Sequence, residues 1–467
     1  MNIFRKKSVE DFRDAAKKSG LKKKLSAFDL AALGIGSVVG TGIFVATGQG
    51  SQLAGPAVTL SFIIAAITSA LCALTYSELA TMFPVAGSTY SYSYVAFGEI
   101  WAWLIGWNLI LEYLVSGAAV AAGWSGTFVG MLKDYGINLP TAITSSPLSG
   151  GIVDLPAVII TAVVTWLLYI GVSESAKINN IIVGVKIFVI LVFIFLGVTH
   201  VNPVNYHPFA PFGFKGVMSG AAIIFFAFIG FDAVSTAAEE TENPKRDVPL
   251  GLGICMILVI ILYIAVSLIL TGMVPFKLID VNNALPGALS RIGITWGSAL
   301  VGAGAVLGMI STLLVTLYGQ IRIFMVMSRD GLLPKSFATI TKKYSTPGRC
   351  TIITGIVTSI MAGFLPLGMI MDLCNIGTLS AFIFVSLGVI ILRKSMPNIE
   401  RKFKCPGVPF TPILTIIFCL YLMMSLPSVT WIRFAIWTAI GTAIYFMYGI
   451  KHSTLNNRED IESKKKA

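Results

Sequence analysis

The chain has 467 residues, 55% of them hydrophobic and only 12% charged, with a mean hydropathy of +0.83. A soluble chain of this length carries about twice that charge fraction, so a water-soluble globular fold is excluded. The formal net charge of +12 comes from basic residues spread over many short segments, which excludes a nucleic-acid footprint.

Residues 1–27, which contain "RKKSVEDFRDAAKKSGLKKK", are polar and basic. They are too long and too charged for the n-region of a cleavable signal. They read as a solvated cytosolic leader, with contact to anionic lipid as the alternative. Twelve apolar segments follow, at roughly 28–53, 57–82, 98–132, 153–171, 178–199, 215–239, 248–273, 295–325, 350–366, 368–392, 411–427 and 431–450. Their lengths suit helices crossing about 30 Å of hydrocarbon. An even count places both termini on one side, and Lys/Arg usage says which. With the N-terminus inside, the inner segments carry 28 basic residues and the outer ones five, while Lys186 lies within a span. The positive-inside rule therefore predicts cytoplasmic termini, including a tail at 451–467, in a cell membrane.

Six cysteines are scattered without a C-x-x-C pair, and the three histidines are His200, His207 and His452. Neither a disulfide framework, a metal site nor a cofactor is expected.

The first span holds "LGIGSVVGTGIF" (33–44), with Gly34, Gly36, Gly40 and Gly42 inside an apolar run. Each glycine in a helix interior costs about 0.5–1 kcal/mol relative to alanine. The sixth span holds "IIFFAFIGFDAVSTAAEE", where Gly230 is followed closely by Asp232. Five spans separate the two starts, so the units containing them have opposite orientations. Paired interrupted helices in two inverted halves point to a secondary transporter's binding site. A break at mid-membrane frees backbone groups that are tolerated only where they line a cavity or bind something. N–H groups opening a second half-helix suit a carboxylate, and carbonyls closing a first half suit an ammonium. Packing is the alternative, since Gly36-x-x-x-Gly40 lets two helices approach closely. The adjoining "GTG" and the matching break in the sixth span favour the binding reading.

These motifs, with "FPVAGSTYSYSYVAFGE" (from Phe83), "FFAFIGFDAVSTAAEETENPKRDVP" (from Phe225) and "RDGLLP" (from Arg329), resemble the amino acid–polyamine–organocation superfamily over about residues 25–450. The bacterial relatives of its cationic amino acid transporter branch look most similar. The resemblance implies an all-α polytopic fold with a five-plus-five inverted repeat. Helices 1–5 would lie in 28–199 and helices 6–10 in 215–392, with two extra helices in 411–450. It implies alternating access and sodium-independent uptake of amino acids, with the proton gradient as driving force. By the same resemblance the substrate carboxylate meets N–H groups around Gly40, Thr41 and Gly42. The amino group meets carbonyls near Val38, Phe226 and Ile229, Phe226 gates the substrate, and Thr316 lines the side-chain pocket. Animal members of this branch have fourteen spans against twelve here, so their specificity is not carried over.

Ionisable residues inside a membrane are functional candidates. Glu112 lies about 14 residues into the third span, about 21 Å along the helix and so near the midplane. It either pairs with polar groups between spans or faces substrate. Asp232 either braces the break through backbone N–H groups or faces the cavity and favours a cationic side chain. Lys186 sits about 12 Å from the inner boundary, further than a snorkelling side chain reaches. The resemblance places its ammonium where sodium-coupled relatives of this architecture hold a cation. Burial disfavours the charged form, which supports proton coupling, with a permanently charged structural lysine as the other reading. Glu78 is assigned to structure.

An intramembrane hydrolase would need a Ser–His, paired-Asp or metal arrangement, and none is visible. Nothing resembles a filter loop or charge ring of a channel. The expected function is import of cationic or small neutral L-amino acids by proton-coupled symport. The alternative is an amine, polyamine or amino acid exchanger of the same fold. Expected partners are the amino acid substrate and membrane lipid, with a small membrane subunit left open.

Overall fold

A computed structural model describes residues 3–8, 24–83, 87–171, 176–341, 343–344 and 346–456. Eight helical stretches of these residues are long and apolar enough to cross a membrane, and four shorter apolar helices accompany them. The described residues form no strand, only isolated bridges such as Leu25 with Thr241. Large apolar side chains including Phe195, Ile257 and Ile436 face outward, as a lipid-facing shell requires.

Helix α1 (Ala27–Val38) starts at a capping box. Asp29 N–H donates to Ser26 Oγ at 3.3 Å, while Ser26 N–H donates to the Asp29 carboxylate at 3.0 Å. This reciprocal pair satisfies donors that a helix start leaves unbonded. The chain leaves helical geometry at Val39, turns through Gly40 and Thr41, and resumes as a wide turn over Gly42–Ala46 and α2 (Thr47–Ala54). The sixth expected span behaves likewise. Helix α8 (Gly213–Ile224) tightens into a 3-10 turn over Phe225–Phe228 and opens at Ile229 and Gly230. It resumes as a short helix over Ala233–Thr236. Gly230 has φ +109°, a conformation that glycine alone adopts without strain.

Between these broken elements lie α3 (Val58–Met82), α4 (Ser88–Ala96), α5 (Glu99–Asp134), α6 (Leu155–Tyr169) and α7 (Ala176–Val198). After them come α9 (Pro244–Met273), α10 (Ala284–Arg291), α11 (Thr295–Arg329), α12 (Gly348–Phe364), α13 (Leu367–Ser395), α14 (Phe410–Met424) and α15 (Ser428–Ile444). Helix α9 packs along α1 and α3, and α11 and α13 pack along α5. The broken elements are thus enclosed by long continuous helices.

Glu78, read as structural, is buried and accepts Arg393 Nη2 at 2.7 Å and the Cys405 N–H at 2.7 Å, with Arg401 Nε at 3.3 Å. The leader was expected to be solvated, and for residues 3–8 that is corrected. Arg5 is 4% exposed, Lys7 Nζ meets Asp330 at 2.5 Å, and the Ile100 N–H donates to Ile3 O. The Ala96 carbonyl and the Asp330 carboxylate supply acceptors that a solvated tail would have found in water. Residues 9–23 of the leader and 457–467 of the tail lie outside the described residues.

Candidate functional site

The two breaks lie against each other. A Cβ on Gly42 would stand 2.8 Å from Ala227 Cβ and closer still to Ala227 Cα, while one on Gly230 would stand 3.2 Å from the Ser37 backbone. Glycine here permits close approach of two backbones. Among the described residues, no backbone acceptor meets the N–H groups of Gly40, Thr41 or Gly42. Three successive N–H groups at the head of a helical segment form a ready site for an anion.

A cavity of about 270 Å³ begins at this junction. Ser37, Ile229, Gly230 and Asp232 line its inner end. Glu112, Tyr113 and Ser116 of α5, Leu314 to Thr316 of α11 and Asn179 of α7 form its sides. At the far end it is edged by Asp29, Glu240 and Arg322. Arg322 Nη2 meets Glu240 Oε1 at 2.9 Å, joining α11 to the segment that follows the second break. Asp29 is held by Asn180 Nδ2 at 2.9 Å. The Lys24 and Leu25 N–H groups both donate to Glu240 O, so the entry to α1 and the exit from the second break are fastened together.

Four of the sequence candidates, Glu112, Ile229, Asp232 and Thr316, come together on this cavity. Asp232 lies with its carboxylate beside its own N–H and that of Ala233, and Glu112 lines the same cavity. Two carboxylates therefore share one wall region. Thr316 lines the cavity with its hydroxyl proton already engaged, since Oγ1 donates back to Thr312 O at 2.8 Å.

The remaining candidates lie off the cavity wall. The Val38 carbonyl accepts from the Tyr263 hydroxyl at 3.0 Å, and the Phe226 carbonyl accepts from the Ile229 N–H at 3.2 Å. Both expected ammonium acceptors thus already hold one donor. Thr41 is buried, with its hydroxyl 3.3 Å from Met309 Sδ and 3.5 Å from Val120 O. The Phe226 ring is buried within the 3-10 turn. Lys186 is fully buried behind α1, and its ammonium donates to Gly36 O at 2.6 Å and to Thr312 Oγ1 at 2.8 Å. Sequence reasoning missed Thr312, Asn179, Tyr263 and the Arg322–Glu240 pair. Thr312 and Tyr263 are ordinary residues of apolar spans, and nothing short of helix rotation separates them from their neighbours.

Two interrupted helices abutting within a shell of continuous apolar helices, beside a cavity that ends on the interruptions, define a polytopic membrane transporter. The chain belongs to the amino acid permease family, whose model, described as "Amino acid permease", matches residues 25–448. It is 47% identical over 461 residues to the branched-chain amino acid permease BcaP of Bacillus subtilis (strain 168), covering 97% of this chain and 99% of that one. It is 46% identical over 458 residues to the methylthioribose transporter of the same organism, covering 97% and 99%. Identity to human cationic amino acid transporter 4 is 31% over 576 residues, covering 97% and 91%. The resemblance drawn from the motifs is therefore correct at the level of the superfamily. The chain is a multi-pass membrane transporter and not an enzyme.

Proposed function

We propose that the chain is a secondary active permease importing L-amino acids by alternating access, coupled to protons and independent of sodium. On this reading twelve spans form a five-plus-five inverted repeat with two further helices, both termini are cytoplasmic, and the membrane is the cell membrane. The observation that carries the reading is the junction of the two breaks. A cavity of amino-acid size ends there, and the N–H groups of Gly40, Thr41 and Gly42 have no backbone acceptor among the described residues. An α-carboxylate is the anion that fits three aligned N–H groups. The Glu112 and Asp232 carboxylates favour a substrate with a positive charge, which supports a cationic amino acid before an aliphatic one.

The test is a melting-shift panel of the twenty amino acids on purified protein, with amides, decarboxylated amines and methylthioribose added. A ligand at 100 times its dissociation constant adds about 2.7 kcal/mol of stability. Charge-assisted hydrogen bonds are worth about 1.5–3 kcal/mol each, so an α-amino acid amide should compete about tenfold or more weakly than its parent acid. An amide or polyamine that competes as well as the acid overturns the carboxylate reading and puts an amine exchanger in its place. Methylthioribose is included because one relative is named for it, and it lacks both charges.

Asp232→Asn is expected to weaken lysine and arginine binding more than alanine binding, because the lost charge faces the substrate side chain. The check is the ratio of dissociation constants in the variant and the parent. Equal losses for all three amino acids would leave Asp232 as a brace for the break, the role its neighbouring N–H groups already suit.

A further inference from the structure

Lys186 has no place on the cavity wall, yet a coupling lysine must exchange its proton with water. The route is marked by Asn179. This residue lies two turns before Lys186 on α7, at the i and i+7 positions that share a helix face. It is 5% exposed, it lines the cavity, and its Oδ1 has no hydrogen-bond partner among the described residues. A buried amide oxygen is costly unless water or a ligand bonds to it.

Both side chains press on the same residue of α1. Lys186 Nζ donates to the Gly36 carbonyl at 2.6 Å, and Asn179 Oδ1 lies 2.9 Å from where a Gly36 Cβ would stand. The next residue, Ser37, faces the cavity. One residue of α1 thus separates the ammonium from the cavity, and Asn179 reaches around it.

We propose that Asn179 is the positioning residue that holds water between the cavity and Lys186, and so forms the inner port of the proton path. The inference rests on the reading of Lys186 as the coupling group. In the release step the Nζ–H bond breaks and its electron pair stays on nitrogen. The proton passes to a water whose own O–H donates to Asn179 Oδ1, and from there to cavity water. Reloading runs the same step backwards. The groups around this path are Lys186 on α7, Asp29 on α1 and Glu112 on α5. Asp232 and Glu240 flank the second break, Arg322 comes from α11, and Cys255 and Tyr263 come from α9, which packs on α1 and α7.

The experiment compares Asn179→Val, Asn179→Ser and Lys186→Ala in proteoliposomes, with a melting shift on substrate to establish that each variant is folded. Three readouts are taken: accumulation under an imposed pH gradient, its pH profile, and substrate counterflow without a gradient. Asn179→Val should lower gradient-driven accumulation by about tenfold or more and displace the pH profile, while counterflow falls by less than about threefold. Asn179→Ser, which restores an oxygen to the water, should recover part of the accumulation. Equal loss of accumulation and counterflow makes Asn179 a substrate contact and overturns the proposal, as does unchanged accumulation with an unchanged profile. Should the valine variant fail to insert, Asn179→Ala is read by the same criteria. If Lys186→Ala still accumulates substrate, the coupling reading itself has failed. If Lys186→Ala loses accumulation and Asn179→Val keeps it, the port alone is wrong.

Discussion

Gly42→Val is expected to abolish substrate binding and uptake together. A Cβ at this position would meet Ala227 Cα and Cβ, the latter at 2.8 Å. These are a backbone atom and the first side-chain carbon of the opposing break, so no rotamer change relieves the collision. Overpacking of this kind costs about 1–3 kcal/mol where side chains can adjust, and more is expected where two breaks must separate. Valine also adds a branch beside the N–H groups that the proposed carboxylate site uses. The check is a melting shift on the preferred amino acid, after the variant's insertion and monodisperse elution have been confirmed. Gly253→Ala is the control. Gly253 lies on α9, a Cβ there would meet nothing within 4 Å, and alanine stabilises a helix interior by about 0.5–1 kcal/mol. Binding by the Gly42 variant within about threefold of the parent would show that the close approach of the two breaks is dispensable.

Long continuous spans were legible because membrane crossing is a property of local composition. The third, expected at 98–132, runs Glu99–Asp134, and the tenth, expected at 368–392, runs Leu367–Ser395. Both breaks were legible too, since glycine next to a charge or a second glycine is conspicuous in an apolar run. What lies around the breaks was not. Tyr263 donates to the Val38 carbonyl across 225 positions of sequence, a relation set by the rotation of α9. Arg322 and Glu240 lie 82 positions apart in sequence, and only the fold shows them as a 2.9 Å pair at the cavity mouth. Asn179 stands in "NNIIVGVK", where a polar residue at the start of a span looks like a boundary. The docked segment 3–8 was illegible for a similar reason, because its acceptors come from α4 and from Asp330.

Lys186→Ala is expected to leave a folded permease that binds and exchanges substrate but no longer accumulates it under a pH gradient. The ammonium ties three elements together, donating from α7 to Gly36 O of α1 and to Thr312 Oγ1 of α11. Thr312 Oγ1 also lies 3.1 Å from Gly36 O as a donor, so the carbonyl keeps one partner when the lysine is gone. The fold therefore has a means of surviving the substitution. What it loses is a bond whose strength depends on charge. Hydrogen bonds from an ionised donor are about twice as strong as neutral ones, so on the proposed coupling reading deprotonation would loosen α1 from α7 and α11 at Gly36, in the last turn of α1. On that reading protonation and the position of α1 would be linked, and each would shift the other. Lys186→Arg provides the complementary case. A guanidinium stays charged throughout the working pH range, so it should also lose coupling although its charge is retained. Gly308 packs on the Lys186 stem, since a Cβ there would lie 2.9 Å from Lys186 Cγ, and it leaves little room for the wider head group. Counterflow and pH-driven accumulation are measured on the same vesicles, so protein amount cancels. Accumulation that survives in either variant would make Lys186 a structural tie, and the driving proton would have to bind among the carboxylates of the cavity.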